Sequence, residues 1–160
     1  MSASFKDYNF KPFINDAIND LGFKNPTPIQ AKVIPTIRHG KSVIGKSATG
    51  SGKTHAFLLP LINQLDADNP KTQIVITTPS RELAYQIYEN VKQITSFSSE
   101  TIHIANYVGG TDKEKQIEKL KREQPQIVVG TPGRILDLSK AGHLDINTAN
   151  QLVIDEADMT

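Results

Sequence analysis

The feature of this sequence that most constrains its fold is a regular alternation of short β-branched runs with helix-length segments. The runs cover 42–45, 73–78, 126–130 and 151–155, with a weaker fifth at 102–107. Between them, apolar residues recur at helical spacing over 56–65, 82–94, 113–120 and 132–138. Strands separated by helices need crossover connections, so the pattern predicts a parallel sheet with helices on both faces. The unbroken apolar triplets Ile74-Val75-Ile76 and Ile127-Val128-Val129 fit strands buried on both sides. The expected fold class is therefore α/β, three layers around a mainly parallel sheet. In such sheets ligands bind where strands end and helices begin.

A helical segment precedes the sheet. Phe13, Ala17, Ile18 and Leu21 share one face of a helix that Gly22 stops. Thr27-Pro28 then opens a second helix, with threonine as cap and proline at the first helical position. The polar stretches 66–71 and 96–100 read as loops within one unit rather than as linkers. A chain of 160 residues fits one domain, large enough to bury about two-thirds of the surface its unfolded form exposes. No apolar run approaches the ~20 residues of a membrane helix, and residues 1–7 lack the basic-then-apolar pattern of a secretory leader. With no cysteine, neither a disulfide nor a thiolate metal site can form, which fits a reducing cytoplasm. A net charge of +1 excludes a broad positive field, so any contact with nucleic acid has to come from a few placed groups.

The run 42–45 leads into Ser-Ala-Thr-Gly-Ser-Gly-Lys-Thr, residues 47–54, and a helical segment follows. This is the context a phosphate-binding loop requires. Glycines at 50 and 52 let the backbone N–H groups of Thr49, Gly50, Ser51 and Gly52 close around phosphate oxygens where a Cβ would obstruct them. Lys53 supplies charge for the outer phosphates, Thr54 a hydroxyl for Mg2+, and the helix start its partial positive charge. The usual pattern has glycine where Ser47 stands, and a plain glycine-rich turn is the competing reading. Such a turn has no need of Lys53 followed by Thr54.

Leu152-Val153-Ile154 leads straight into Asp155, Glu156, Ala157 and Asp158. An apolar strand ending in acids puts carboxylates at the ligand edge of the sheet. There Asp155 is suited to hold a nucleotide-bound Mg2+, and Glu156 to orient or deprotonate the attacking water. The competing reading is a solvated acidic strand end. Gln30 lies three residues after Thr27, so the pair is a capping box worth ~1 kcal/mol. The same amide offers a donor and an acceptor that match the edge of adenine. Capping and base recognition remain open together at this position. Phe5 is a candidate stacking partner for the base or a core residue.

Taken together, these residues resemble the N-terminal RecA-like domain of DEAD-box RNA helicases. The matching elements are the isolated Phe5, Gly22 to Gln30 (GFKNPTPIQ), the SATGSGKT loop, Pro79 to Ala84 (PSRELA), Gly109-Gly110, Thr131 to Arg134 (TPGR), and Asp155 to Asp158. The resemblance implies a RecA-like phosphate-loop fold, ATP and Mg2+ as ligands, and ATP-dependent RNA unwinding as the activity of the parent protein. It implies that Phe5 stacks on adenine, that Gln30 and Thr27 read its edge, and that Lys53, Thr54 and Asp155 hold phosphate and metal. It makes Glu156 the general base and Asp158 the coupler between the ATP and RNA sites. For RNA it points to Pro79, Ser80, Arg81, Gly110, Thr131, Gly133 and Arg134, which would grip the backbone without reading bases. Helix capping by Thr131-Pro132 and structural ion pairing of Arg81 and Arg134 are the alternatives. Ser47 and Ser80 depart from the commonest family wording, alanine and threonine, yet both keep the side chain small.

The organisation expected is a helical lead-in over 1–40 carrying the adenine motif, then a partial RecA-like ATP-binding domain over 41–160. The rest of that lobe, with its Ser-Ala-Thr element, and a second RecA-like domain would lie beyond Thr160. Without the arginines of that second domain, the 160-residue stretch is expected to bind nucleotide and to hydrolyse it poorly. A non-catalytic nucleotide- or RNA-binding module is the alternative function.

Overall fold

The computed structural model describes residues 10–20, 43–47, 58–59, 61–109, 112–149 and 151–157, with 43–47 and 151–157 described as backbone. Its elements in chain order are α1 (Pro12–Asp20), β1 (Val43–Ser47), β2 (Ile74–Thr77), α2 (Arg81–Thr95), β3 (Ile104–Tyr107), α3 (Lys113–Arg122), β4 (Ile127–Gly130), α4 (Pro132–Lys140) and β5 (Gln151–Ala157). Residues 58, 59 and 61–63 are helical as well.

The five strands form one sheet in the order β1-β5-β2-β4-β3, and all four pairings are parallel. Every strand therefore ends on the same edge. β5, last in the chain, lies between β1 and β2, with Gly45 opposite Asp155, Lys46 opposite Glu156 and Ser47 opposite Ala157. The strand expected over 42–45 runs on through Lys46 and Ser47, and that expected over 151–155 runs on to Ala157. Each extension is paired by the other, which is why polar residues that read as loop are held extended. The weak run at 102–107 forms a full edge strand over 104–107.

Side-chain alternation divides the core between the two faces of the sheet. On one face Ile74, Ile76, Ile127 and Val129 pack with Ile14, Ala17 and Ile18 of α1, with Leu58, Leu59, Leu61, Ile62 and Leu65, and with Leu83, Ile87, Val91 and Ile94 of α2. On the other, Val75, Val128 and Tyr107 pack with Leu120 of α3 and Ile135 and Leu138 of α4. The structure thus has the three layers expected. On α1 the buried positions are Ile14, Ala17 and Ile18, while Phe13 packs only partly buried against the same cluster. Leu21, the stop at Gly22 and the helix expected after Thr27-Pro28 lie outside the described residues.

Two buried glutamines close the opposite, amino edge of the sheet. Gln126 donates from Nε2 to the carbonyls of Ala67 (3.1 Å) and Asn69 (3.0 Å) and accepts from the His103 N–H (2.9 Å). Gln73 donates to the Asp66 and Asn69 carbonyls and accepts from the Asp66 N–H. These amides satisfy loop groups that would otherwise be enclosed without partners, so loop 66–71 is fixed to the strands it connects.

Gly130 ends β4 where no side chain fits. A Cβ there would collide with the Tyr107 carbonyl oxygen and sit 2.8 Å from its carbon. Gly130→Ala has to force β3 and β4 apart, and is expected to lower unfolding free energy by about 1–3 kcal/mol. Chemical denaturation measures this, and an unchanged midpoint would show that the β3–β4 spacing yields freely.

Candidate nucleotide and RNA site

Because every strand runs the same way, the segments following β2, β3 and β4 emerge side by side. Thr77 is opposite Gly130, and Gly130 is opposite Tyr107. Pro79-Ser80-Arg81 follows β2, Val108-Gly109 follows β3, and Thr131-Pro132-Gly133-Arg134 follows β4. The structure brings these candidate segments to neighbouring positions on one edge. Pro79, Arg81, Pro132 and Gly133 are exposed there, and Ser80, Thr131 and Arg134 are partly so.

The two hydroxyls at the helix starts do different work. Ser80 caps α2, its Oγ accepting from the Leu83 N–H at 3.1 Å. Thr131 occupies the corresponding position before α4, with extended backbone and proline at the first turn, but forms no side-chain cap bond. The Thr131 hydroxyl instead accepts from the Gly109 N–H at 3.3 Å, and the Thr131 N–H donates to the Tyr107 carbonyl at 3.0 Å. Capping by Thr131, the alternative drawn from sequence, is thus replaced by a clamp between two loops. Its cause is the parallel β3–β4 register, which places Gly109 within reach of the residue after Gly130.

The arginines also differ. Arg134 donates from Nη1 to Gln116 Oε1 at 2.8 Å, so α3 holds it at the edge. Arg81 is exposed and makes no ion pair among the described residues. Lys113 and Asp137 pair at 2.5 Å between α3 and α4. That hydrogen bond is the main reason the Asp137 carboxyl lies below its ordinary pKa; desolvation opposes it, and the nearby Lys113, Arg134 and His143 charges lower it further. A depressed carboxyl pKa stabilises above the unfolded value, and the contribution is lost as pH falls through the folded one. Burial pushes the Tyr107 hydroxyl well above its ordinary range, which keeps it neutral.

Sequence reasoning missed Gln116, Gly109 as a donor, and Gly130. Gln116 sits in an unbroken polar helix face and carries no local signal; only the packing of α3 beside α4 reveals it. Of the nucleotide candidates, Asp155 and Glu156 occupy their register positions on β5 beside β1. Phe5, Thr27, Gln30, Thr49, Gly50, Ser51, Gly52, Lys53 and Thr54 lie outside the described residues, as do Gly110 and Asp158.

A three-layer α/β lobe with its described candidate residues on the carboxyl edge of a parallel sheet is the class of protein these features define. Residues 27–160 match the DEAD/DEAH box helicase family, and the chain belongs to that family. It is 53% identical over 158 residues to the DEAD-box ATP-dependent RNA helicase CshB of Listeria monocytogenes, covering 99% of this chain and 36% of that protein. It is 45% identical to the ATP-dependent RNA helicase DeaD of Escherichia coli, over 98% of this chain and 24% of that one. The chain thus spans about a third or less of the length of these curated relatives. The crystal structure of a DEAD box protein from Methanococcus jannaschii superposes with a TM-score of 0.83 at 30% identity, covering 98% of this chain and 50% of that one.

A Cβ at Gly133 would meet nothing within 4 Å. Packing therefore does not require glycine in this first turn of α4. Gly133→Ala is expected to leave thermal stability unchanged or to raise it by about 0.5 kcal/mol. A fall in melting temperature would mark this glycine as structural.

Proposed function

We infer that the chain is the ATP-binding lobe of a cytoplasmic ATP-dependent RNA helicase, a helical lead-in over 1–40 followed by a RecA-like domain over 41–160. One observation carries this reading. β1, which leads into the phosphate-loop sequence, is hydrogen-bonded in parallel to β5, which bears the acids, with Lys46 opposite Glu156. The strand that leads toward one motif and the strand that bears the acids of the other, more than a hundred residues apart in sequence, are thereby neighbours in the sheet.

In the proposed mechanism the backbone N–H groups of Thr49 to Gly52 enclose the phosphates and Lys53 balances their charge. Thr54 and Asp155 offer a hydroxyl and a carboxylate, hard oxygen donors of the kind Mg2+ takes. A bound Mg2+ would supply charge neutralisation at the phosphates. Glu156 receives the proton of the attacking water, while Phe5, Thr27 and Gln30 hold the adenine. A second RecA-like domain of the parent protein meets this lobe across the nucleotide, and Asp158 links that closure to RNA. The 160-residue stretch alone binds nucleotide and turns it over slowly.

RNA is held by its backbone along Pro79, Ser80, Arg81, Gly110, Thr131, Gly133 and Arg134. Supporting this are the exposure of Pro79, Arg81 and Gly133, and the open space around Gly133, which lets a phosphate approach the first-turn N–H groups of α4. The anchoring of Arg134 by Gln116 fixes a charge at the same edge.

The decisive experiment measures ATP hydrolysis by the full-length protein, with and without single-stranded RNA, for the wild type and Glu156→Gln. The expected outcome is RNA-stimulated turnover in the wild type and retained nucleotide binding with turnover at least about a hundredfold lower in the variant. Full turnover in Glu156→Gln would remove the general-base role. Nucleotide binding without any RNA-stimulated turnover in the wild type would establish the binding-module alternative instead.

A further inference from the structure

The sheet ends on β3, and among the described residues β3 pairs with β4 alone. The carbonyls of His103 and Tyr107 accept from Ile127 and Thr131, so those residues turn their peptide groups toward β4. By strand alternation the peptide groups of Ile104 and Asn106 point the other way, off the edge of the sheet. Exposed edges are commonly blunted by lysine or proline on the strand itself. The sequence Ile-Ala-Asn-Tyr carries neither.

A cleft of about 550 Å³ runs along this edge. Tyr85 and Tyr88 of α2 form one wall, and Lys115, Lys119 and Arg122 of α3 form the other. Tyr85 is 46% exposed, unusual for a side chain of its size here. The acidic residue on the rim, Glu123, is engaged by His103 Nδ1 at 2.5 Å, which leaves the three basic side chains to set the charge of the cleft. Asn106 lines the cleft too, and both its amide nitrogen and its amide oxygen are enclosed with no hydrogen-bond partner among the described residues. Native structures hold few such groups, and a ligand that bonds to this one removes its desolvation penalty.

We propose that this edge is a docking site for an extended, acidic peptide segment of a protein partner, which adds to the sheet as a strand beside β3. The occupant's backbone supplies donors and acceptors to Ile104 and Asn106, its acidic side chains face Lys115, Lys119 and Arg122, and apolar side chains rest against Tyr85 and Tyr88. RNA fits the same cleft less well: its phosphate oxygens accept but do not donate, leaving only 2′-hydroxyls and base N–H groups for the outward carbonyls of Ile104 and Asn106, whereas a peptide strand offers a donor and an acceptor at every backbone unit that faces the edge. The site does not depend on the RNA-helicase reading, since none of its residues belongs to the proposed nucleotide or RNA contacts.

The test titrates full-length protein with a fluorescent peptide of alternating glutamate and valine, followed by anisotropy and by amide chemical shifts. Binding is expected with the largest shifts at Ile104 and Asn106. Methylating alternate backbone nitrogens of the peptide should weaken binding about tenfold or more, because a strand bonds through those N–H groups. The surface double variant Lys119→Glu with Arg122→Glu should also lose about tenfold for this peptide and gain affinity for one of alternating lysine and valine. RNA-stimulated ATP hydrolysis of that variant should stay at the wild-type level. No detectable binding, or binding indifferent to backbone methylation, would overturn the proposal. Loss of RNA affinity in the double variant with peptide binding intact would make RNA the occupant and overturn it equally.

Discussion

The parallel pairing of β1 with β5 is the contact on which the rest of the structure depends. Parallel neighbours cannot be joined by a tight turn, so each connection has to cross a face of the sheet, and helices are the economical way to do so. The result is a sheet buried on both sides, with Val75 and Val128 packing one way and Ile74, Ile76, Ile127 and Val129 the other. It also sends every strand end to one edge. An antiparallel β5 would have placed Asp155 and Glu156 at the glutamine-closed end, a full strand length from Ser47.

The two edges of the sheet are built from different chemistry. At the amino edge, Gln73 and Gln126 saturate loop carbonyls and N–H groups with buried amides, and Thr72 adds a hydroxyl bond to the Pro125 carbonyl at 2.6 Å. Among the described residues these bonds tie loop 66–71 and the segment before β4 to that edge. At the carboxyl edge the polar groups serve as spacers: Thr131 ties the loop after β3 to the start of α4, and Gln116 holds Arg134, while Pro79 and Gly133 stay open to solvent. Glycine is used there in two opposite senses. Gly130 is needed because the Tyr107 backbone crowds it, whereas a Cβ at Gly133 would meet only open space.

Much of the fold was legible because its strongest signals are local. The triplets at 74–76 and 127–129 are apolar throughout, which suits strands covered on both faces. The helical spacing of Leu83, Ile87, Val91 and Ile94 defines α2 without help from the rest of the chain. Sheet order was not legible, since nothing in the residues of β5 says that it inserts between β1 and β2. The extensions of β1 through Ser47 and of β5 through Ala157 were hidden for the same reason: each is held by the other, and neither is apolar. The Thr131 clamp looked like a cap because threonine before proline is a common cap sequence, and only the position of Gly109 on the neighbouring strand redirects the hydroxyl. The anchoring of Arg134 is invisible locally because its partner, Gln116, comes from a different helix.

The central claim is that a phosphate cradle after β1 and an acidic strand end on β5 form one nucleotide site. The most direct measurement is a crystal structure of the full-length protein with Mg2+ and a non-hydrolysable ATP analogue. The account predicts a triphosphate at the carboxyl ends of β1 and β5, with Lys53 on its outer phosphates and Thr54 and Asp155 directed at one metal ion. A triphosphate bound at the amino edge near Gln73 and Gln126, or one at the carboxyl edge that engages neither Lys53 nor Asp155, would contradict it.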